Sequence, residues 1–199
     1  MQRRWLAVAV LATLPFTGST GCGYNTIQTM DEEAAAYRQQ IEVQLQRRSD
    51  LIPNLVSTVQ GFADQEAAVL TEVTRARAGL ESALNREGGA DIEELAQADA
   101  QVNTALGRFN SFVVEAYPEL RSNENFIRLQ DELAGTENRI AVSRQDYNSA
   151  VQRYNAYIRR FPQTITARVT GASARPYFEA QAGAETAPSV EFSRPGTGG

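Results

Sequence analysis

One apolar stripe in the second half of the chain constrains the fold more than any other feature of the sequence. Its members recur at intervals of three, four or seven residues: Phe126, Leu129, Leu133, Ile140, Tyr147, Tyr154 and Phe161. This spacing places all of them on one face of a single long helix. A helix with one apolar face needs partner helices to cover it, so the stripe predicts an all-α bundle.

A second, largely apolar series with helical spacing runs from residue 41 to residue 62 and includes Arg48, and Pro53 falls inside it. Proline lacks a backbone N–H and clashes with the preceding turn of a helix. Either a first helix ends near Arg48 and a second begins with Ser49 or Asp50 as its cap, or one helix continues through the proline with a kink. We favour the first structure.

Two further breaks separate the remaining helices. The glycine-containing segment 85–91 ends one helix, and Asp91 begins a capping pattern for the next. That helix is expected to end at Tyr117, because the proline that follows disfavours helical angles in the residue before it. Ser122 or Asn123 is then the predicted cap of the last helix.

These helices predict an antiparallel up-and-down four-helix bundle over residues 28–162. From residue 163 to residue 199 the helical period is lost and Pro, Gly, Ser and Thr become frequent. We therefore expect a mostly disordered C-terminal extension. A short contact at Tyr177 and Phe178 is the one feature predicted within it.

The N-terminus has the pattern of an export signal. Two arginines precede an apolar run at residues 5–14, and small residues lead to Cys22. We expect a lipoprotein signal peptide over residues 1–21, with Cys22 as the lipidation site and residues 22–27 as a tether. An uncleaved signal anchor and an unmodified cysteine are the alternatives. The arginines place the body on the periplasmic side of the inner membrane, with the anchor in either the inner or the outer membrane.

The composition removes several classes of function. The net charge of −5 disfavours nucleic acid as a partner, because that role needs a basic surface. All 19 basic residues are arginine, which excludes lysine Schiff bases and histidine-dependent catalysis. A single cysteine forms neither an internal disulfide nor a cysteine-rich zinc site. We expect no catalytic residue, no cofactor, no metal ion and no small-molecule substrate.

Three segments of the chain, together with the residues around Cys22, resemble the LemA family of bacterial envelope proteins. They are residues 40–66, 113–148 and 154–162, which contain the blocks Asp-Leu-Ile-Pro, Tyr-Pro-x-Leu and Glu-Asn-Arg-Ile in the family's order. The resemblance implies a four-helix bundle fixed to a membrane by its N-terminus. It implies no molecular activity, because none is established for the family.

Several ionisable residues lie beside the apolar stripes and form a candidate buried polar cluster: Glu66, Asp99, Glu115, Glu137 and Arg144. One interpretation is a polar pocket or a notch for a partner. Another is a set of ion pairs that fixes the register of the helices. Facing carboxylates that hold a divalent cation are a further alternative.

Two sets of polar residues lie at the predicted connections between helices. They are Arg47, Arg48 and Asp50 after the first helix, and Tyr117, Pro118, Arg121 and Asn123 after the third. In an up-and-down bundle both connections lie at one end, so we expect the two sets to form one surface. Arginine and tyrosine are frequent in binding hot spots, which makes this corner a candidate interaction site; capping and turn chemistry is the alternative. The pairs Tyr147-Asn148 and Tyr154-Asn155 are interpreted as structural.

Together these observations predict a membrane-anchored, non-enzymatic scaffold or adaptor of the bacterial envelope. Its expected partners are the membrane, through the N-terminal anchor, and other envelope proteins or a second copy of itself. A self-assembling oligomer that organises a membrane is one alternative. A carboxylate- or metal-dependent envelope hydrolase that uses Glu66, Glu115 or Glu137 is the other.

Overall fold

Five α-helices and one short 3-10 helix account for most of the residues that the computed structural model describes, 20–61 and 67–179. The α-helices are α1 (Thr20–Gln60), α2 (Ala67–Leu84), α3 (Ile92–Ala116), α4 (Glu124–Ile158) and α5 (Gln163–Thr170), and the 3-10 helix is Pro118–Ser122. These described ranges contain no β-strand. The all-helical prediction is therefore confirmed for this part of the chain.

The favoured break after Arg48 is wrong, because α1 continues through Pro53 without interruption. A proline at this position cannot donate a backbone hydrogen bond to the carbonyl of Ser49, four residues earlier. The side chain of Arg77 on α2 replaces that donor, with its Nε 3.0 Å from the Ser49 oxygen. A tertiary contact thus satisfies the carbonyl that the proline leaves free, and the helix has no need to end there.

Two antiparallel helix pairs organise the body. α1 and α4 pack most extensively, and polar contacts between Glu33 and Arg153 (2.6 Å) and between Gln44 and Arg139 (3.1 Å) mark their opposite directions. α2 and α3 form a hairpin whose connection contains Gly88 and Gly89, both with positive φ. Glycine adopts that conformation without a steric penalty.

The α2–α3 hairpin covers only part of the α1–α4 pair. At 1.5 Å per residue, the 41 residues of α1 span about 61 Å and the 25 residues of α3 about 37 Å. Near the start of α3, the guanidinium of Arg38 donates to the carbonyl of Ala90, so the first two turns or more of α1 extend beyond the hairpin. α5 and the segment that follows it pack against this remaining part.

The beginning of α1 also differs from the expected tether. Residues 22–27 belong to the helix, and Ile27 is already buried against Tyr154, Ile158 and Ala167. Most of the predicted signal peptide, residues 1–19, lies outside the described residues, and so does the side chain of Cys22. Among the described helices, none combines the length and the apolar character needed to cross a lipid bilayer.

The C-terminal extension begins with ordered structure. α5 ends at Gly171, which has a left-handed φ of 75°. Residues 172–179 have no regular secondary structure; hydrogen bonds to Asn148 and Asn155 hold them along α4, and the side chain of Phe178 is buried in the main core. The expected disorder is thus absent from residues 163–179, and residues 180–199 lie outside the described part of the chain.

Candidate functional site

A buried ionic cluster joins α1, α3 and α4 at the middle of the body. Arg48 is 4% exposed and donates from Nη1 to Oδ1 of Asp99 at 2.8 Å, and Asp99 is fully buried. The same Nη1 lies 2.8 Å from Oε2 of Glu137, and Nη2 donates to the amide oxygen of Asn103. One arginine therefore contacts side chains from two other helices.

A second arginine completes the cluster. Arg144 donates to Oδ2 of Asp99, so each oxygen of this carboxylate meets a guanidinium. The other side of the Arg144 guanidinium stacks on the ring of Phe178, 4.6 Å from its centroid, which is a cation–π contact. Two cations and two anions, with Glu137 included, leave the cluster with no net charge.

Burial affects the titration of both arginines. It lowers the pKa of Arg48, while the negative charge of Glu137 opposes that effect. It also lowers the pKa of Arg144, and the positive charge of Arg48 lowers it further. Arginine nonetheless stays protonated in proteins, so the cluster needs its carboxylates to balance one buried and one partly buried positive charge.

The structure brings three of the five predicted cluster residues together. Asp99, Glu137 and Arg144 meet around Arg48, which the sequence interpretation had assigned to another surface. Glu115 is exposed near the end of α3 and takes no part in the cluster. Glu66 lies outside the described residues. A cleft of about 270 Å³ between α3 and α4 reaches the cluster at Arg48 and Glu137.

The predicted corner surface does not form, because α1 has no break after Arg48. Arg47 and Asp50 are exposed in the middle of α1, and Arg48 points into the core. Arg48 contacts Asn103, and the 14 residues from Asn103 to Tyr117 correspond to about 21 Å of helix rise. The prediction that the two sets of polar residues meet is therefore wrong.

The second set keeps its place at the α3–α4 connection. Tyr117 packs edge-on against Phe112, with 5.7 Å between ring centroids, and Pro118 begins the 3-10 helix. Arg121 is exposed. The side chain of Asn123 accepts a hydrogen bond from the backbone N–H of Phe126 at 3.0 Å, which confirms it as the cap of the last helix.

The sequence interpretation missed a docking groove on the uncovered part of α1 and α4. We call residues 172–179 the strap. The side chain of Asn148 donates to the carbonyl of Phe178 (3.0 Å) and accepts from its N–H (2.8 Å). Asn155 makes the same two contacts with the main chain of Arg175, both at 2.9 Å. Two asparagines of α4 thus each hold one strap residue by its backbone.

Side-chain contacts add to this backbone recognition. The Nε of Arg175 donates to Oδ1 of Asp31 at 2.6 Å, and the hydroxyl of Tyr147 donates to the carbonyl of Pro176 at 2.9 Å. The hydrogen bond from Arg175 lowers the pKa of Asp31, and Asp31 in turn raises the pKa of Arg175. Burial raises the pKa of Tyr147. We call the surface formed by Asp31, Arg144, Tyr147, Asn148 and Asn155 the groove.

One signal in the sequence pointed to this groove. The dipeptide Tyr-Asn occurs at 147–148 and again seven residues later at 154–155. In each pair the tyrosine is buried, and the asparagine after it is half-buried at position 148 and buried at position 155. An amide repeated at this interval beside a buried face is consistent with repeated contact to another segment of chain. Within residues 20–61 and 67–179, no three acidic or cysteine side chains are grouped as ligands for a metal ion.

The described part of the chain is thus an all-helical protein whose interior charges are paired across helices. The chain belongs to the LemA family, whose model matches residues 37–192. This confirms the family resemblance of the sequence. The chain is 30% identical to the magnetosome proteins MamQ 1 and MamQ 2 of Paramagnetospirillum magneticum (strain ATCC 700264 / AMB-1) over 201 residues. It is 28% identical to magnetosome protein MamQ of Magnetospirillum gryphiswaldense (strain DSM 6361 / JCM 21280 / NBRC 15271 / MSR-1). In each comparison the match covers 91% of this chain and 74% of the relative.

Proposed function

We propose that the protein is a non-enzymatic scaffold or adaptor of the bacterial envelope, an up-and-down helical bundle anchored to a membrane through Cys22. Its ionised core residues support a structural role, since both oxygens of Asp99 are engaged by arginine. The chain belongs to the LemA family, for which we expect a bundle fixed to a membrane, and its relatives are named magnetosome proteins. Both findings support a location at a membrane. The body then acts by binding the membrane and partner proteins with its surface.

An exposed apolar stripe carries this proposal. Phe161 and Val169 are 80% and 83% exposed, and Ile165 is also exposed. They are four residues apart along the chain, and we call them the end stripe. Ile165 and Val169 lie one turn apart on α5, and Phe161 lies two residues before its start. Contiguous exposed apolar patches mark sites of interaction with a protein or a membrane.

The end stripe lies beside the beginning of α1. A Cβ added at Gly23 would be 3.7 Å from the Oγ1 of Thr166, so α5 runs close to the residues that follow Cys22. A lipid on Cys22 would bring this end of the body to the bilayer surface. The stripe would then insert among the lipid headgroups, as apolar faces of interfacial helices do.

Three arginines favour an anionic lipid surface as the partner of the end stripe. Arg159, Arg160 and Arg168 flank the stripe and are exposed. None of the three has an ion-pair partner among the described residues. A basic side chain near an anionic leaflet contributes about 1 kcal/mol to binding. This end therefore suits a membrane surface although the whole chain is acidic.

Vesicle co-sedimentation of the full chain with Cys22 replaced by serine tests the proposal without the contribution of the lipid anchor. The chain is expected to bind vesicles of equimolar phosphatidylcholine and phosphatidylglycerol. Replacing the end stripe by serine is expected to weaken binding roughly a hundredfold, at about 1 kcal/mol for each partly inserted side chain. Replacing the three arginines by glutamine is expected to remove the preference for phosphatidylglycerol.

The chain offers a matched control for these variants. Val43, Val114 and Val142 are similarly exposed apolar residues on the helices of the body. Their triple replacement by serine is expected to leave vesicle binding unchanged. A parent that does not bind vesicles, or a control that loses as much binding as the end-stripe variant, would refute the proposed membrane face.

A further inference from the structure

We propose that the groove is a peptide-binding site for an extended Arg-Pro-x-Phe segment, and that a second copy of the chain supplies this segment by exchange of straps. The inference rests on the scaffold function proposed above, because exchange gives that scaffold a contact between copies. In the structure, the chain's own strap fills the groove.

The groove recognises main chain at a fixed repeat. Asn148 and Asn155 are seven residues apart on α4, which corresponds to about 10.5 Å of helix rise. Arg175 and Phe178 are three residues apart, and three residues of an extended chain correspond to about 10 Å. The two spacings match, so each amide pairs with the N–H and the carbonyl of one strap residue. Any extended peptide can offer those main-chain groups.

Three of the four strap positions 175–178 define the side chains that the groove selects. Arg175 pairs with a carboxylate of α1, and Phe178 is 3% exposed beneath a guanidinium of α4. Pro176 favours extended angles in the residue before it, Arg175, and offers its carbonyl to a tyrosine hydroxyl. Tyr177 is 41% exposed, so its position accepts other side chains. The ligand class is therefore Arg-Pro-x-Phe in an extended conformation.

A second copy of the chain is a suitable partner, because every copy carries the Arg-Pro-x-Phe segment that fits the groove. The strap is joined to the body through α5, which has Ala167 as its buried residue, and through the left-handed Gly171. The 13 residues from Pro162 to Arg175 span up to about 45 Å when extended. Exchange keeps every groove contact, and full extension of this connection gives up the packing of α5 against Ile27 and Ile158. Exchange of an identical element between copies is the basis of domain swapping. Attachment to one membrane raises the local concentration of copies.

The first arm of the test asks whether the groove binds a peptide. The probe is a fluorescent peptide with the sequence of residues 172–180, and the receptor is the full chain in detergent with Arg175 and Phe178 both replaced by alanine, so that its own strap competes poorly. We expect saturable binding by fluorescence anisotropy. A peptide with alanine in place of its arginine and phenylalanine should bind at least tenfold more weakly. Both peptides are measured on the same receptor, so a difference between them reports on the peptide side chains alone.

Receptor variants then locate the binding site. Adding Asn148→Ala and Asn155→Ala to the receptor should weaken peptide binding at least tenfold. The matched control is Asn125→Ala with Asn138→Ala, two exposed asparagines of the same helix, and it should retain binding. Absence of saturable binding, or equal binding of both peptides, would overturn the assignment of the groove.

The second arm asks whether copies exchange straps. Full chains with different tags are co-expressed and purified in detergent, one with the strap variant and the other with the groove variant Asn148→Ala, Asn155→Ala. The groove variant offers an intact strap and the strap variant an intact groove, so the two should co-purify. Two strap variants should not co-purify with each other. Peptide binding without co-purification of the complementary pair would overturn the exchange.

Both arms are independent of the vesicle assay. A chain that binds vesicles and fails both arms loses the groove proposal and keeps the membrane face. A chain that exchanges straps and does not bind vesicles loses the membrane face and keeps the contact between copies.

Discussion

Replacing Asp99 by asparagine tests whether the buried ionic cluster holds α1, α3 and α4 in register. Asp99 is fully buried, and its two oxygens meet the guanidinium groups of Arg48 and Arg144. Asparagine preserves the shape of the side chain and removes one negative charge. Two positive charges then face the single negative charge of Glu137, which leaves a net charge of +1 in the interior.

The expected cost follows from the burial of the remaining charges. Removing one partner of a buried ion pair costs about 3–5 kcal/mol, because it leaves an uncompensated charge out of water. Arg144 retains partial exposure, with 22% of its side chain accessible, and asparagine keeps one acceptor. We therefore expect about 3 kcal/mol for Asp99→Asn. For a domain of this size, that corresponds to a melting temperature lower by roughly 6–12 °C.

Urea unfolding of the full chain in detergent, followed by the helical circular dichroism signal, measures this loss. Glu72→Gln is the matched control, because Glu72 pairs with Arg108 between α2 and α3 at the surface, and it should cost less than about 1 kcal/mol. The double variant Arg48→Met, Asp99→Leu should regain stability to within about 1 kcal/mol of the parent. An Asp99→Asn variant within about 1 kcal/mol of the parent would refute this reasoning.

Three further perturbations test other contacts. Arg77→Met removes the donor to the carbonyl that Pro53 leaves free, so urea unfolding should show a loss of stability of about 1–3 kcal/mol. Pro53→Ala should rescue most of this loss, and a lack of rescue would show that Arg77 does not compensate for the proline. Asp31 has its pKa lowered below its ordinary value of 3.8 by Arg175, so its contribution is present above pH 3.8 and lost as pH falls through the lowered pKa. Hydrogen exchange should show the strap released in acid in the parent, and Asp31→Asn should abolish that pH dependence; equal release profiles would contradict this. Asn123→Ala removes the cap of α4 and should cost about 1 kcal/mol in the urea assay, whereas an unchanged midpoint would show that the cap contributes nothing.

Apolar periodicity was sufficient to predict α3 and α4. The stripe that begins at Phe126 predicted a last helix from about residue 123 to residue 161, and α4 spans Glu124–Ile158. The glycine-containing segment 85–91 predicted the α2–α3 connection. These features are local, since the spacing of apolar residues and the conformational freedom of glycine act within a few residues.

The continuity of α1 was not predictable from local rules. Pro53 signals a break, and the group that compensates for it, Arg77, lies 24 positions later in the sequence on another helix. The prediction of a corner surface was also wrong, because it depended on a break after Arg48. In the actual structure, Arg48 turns inwards and becomes the centre of the ionic cluster.

The strap was missed because its order comes from the surface on which it lies. Its residues have no helical or strand period, and Pro176 and the neighbouring small residues are typical of irregular chain. The backbone contacts of Asn148 and Asn155 fix it in place. Only the predicted contact at Phe178 anticipated this docking.

In-cell cross-linking of the tagged full chain at its native level, followed by mass spectrometry of the membrane fraction, tests the scaffold account most directly. The account predicts that the chain is recovered from membranes with cross-links between copies or to other envelope proteins. Links between copies should disappear when Arg175 and Phe178 are replaced by alanine. Recovery of the chain from the soluble fraction without cross-linked partners would contradict the account.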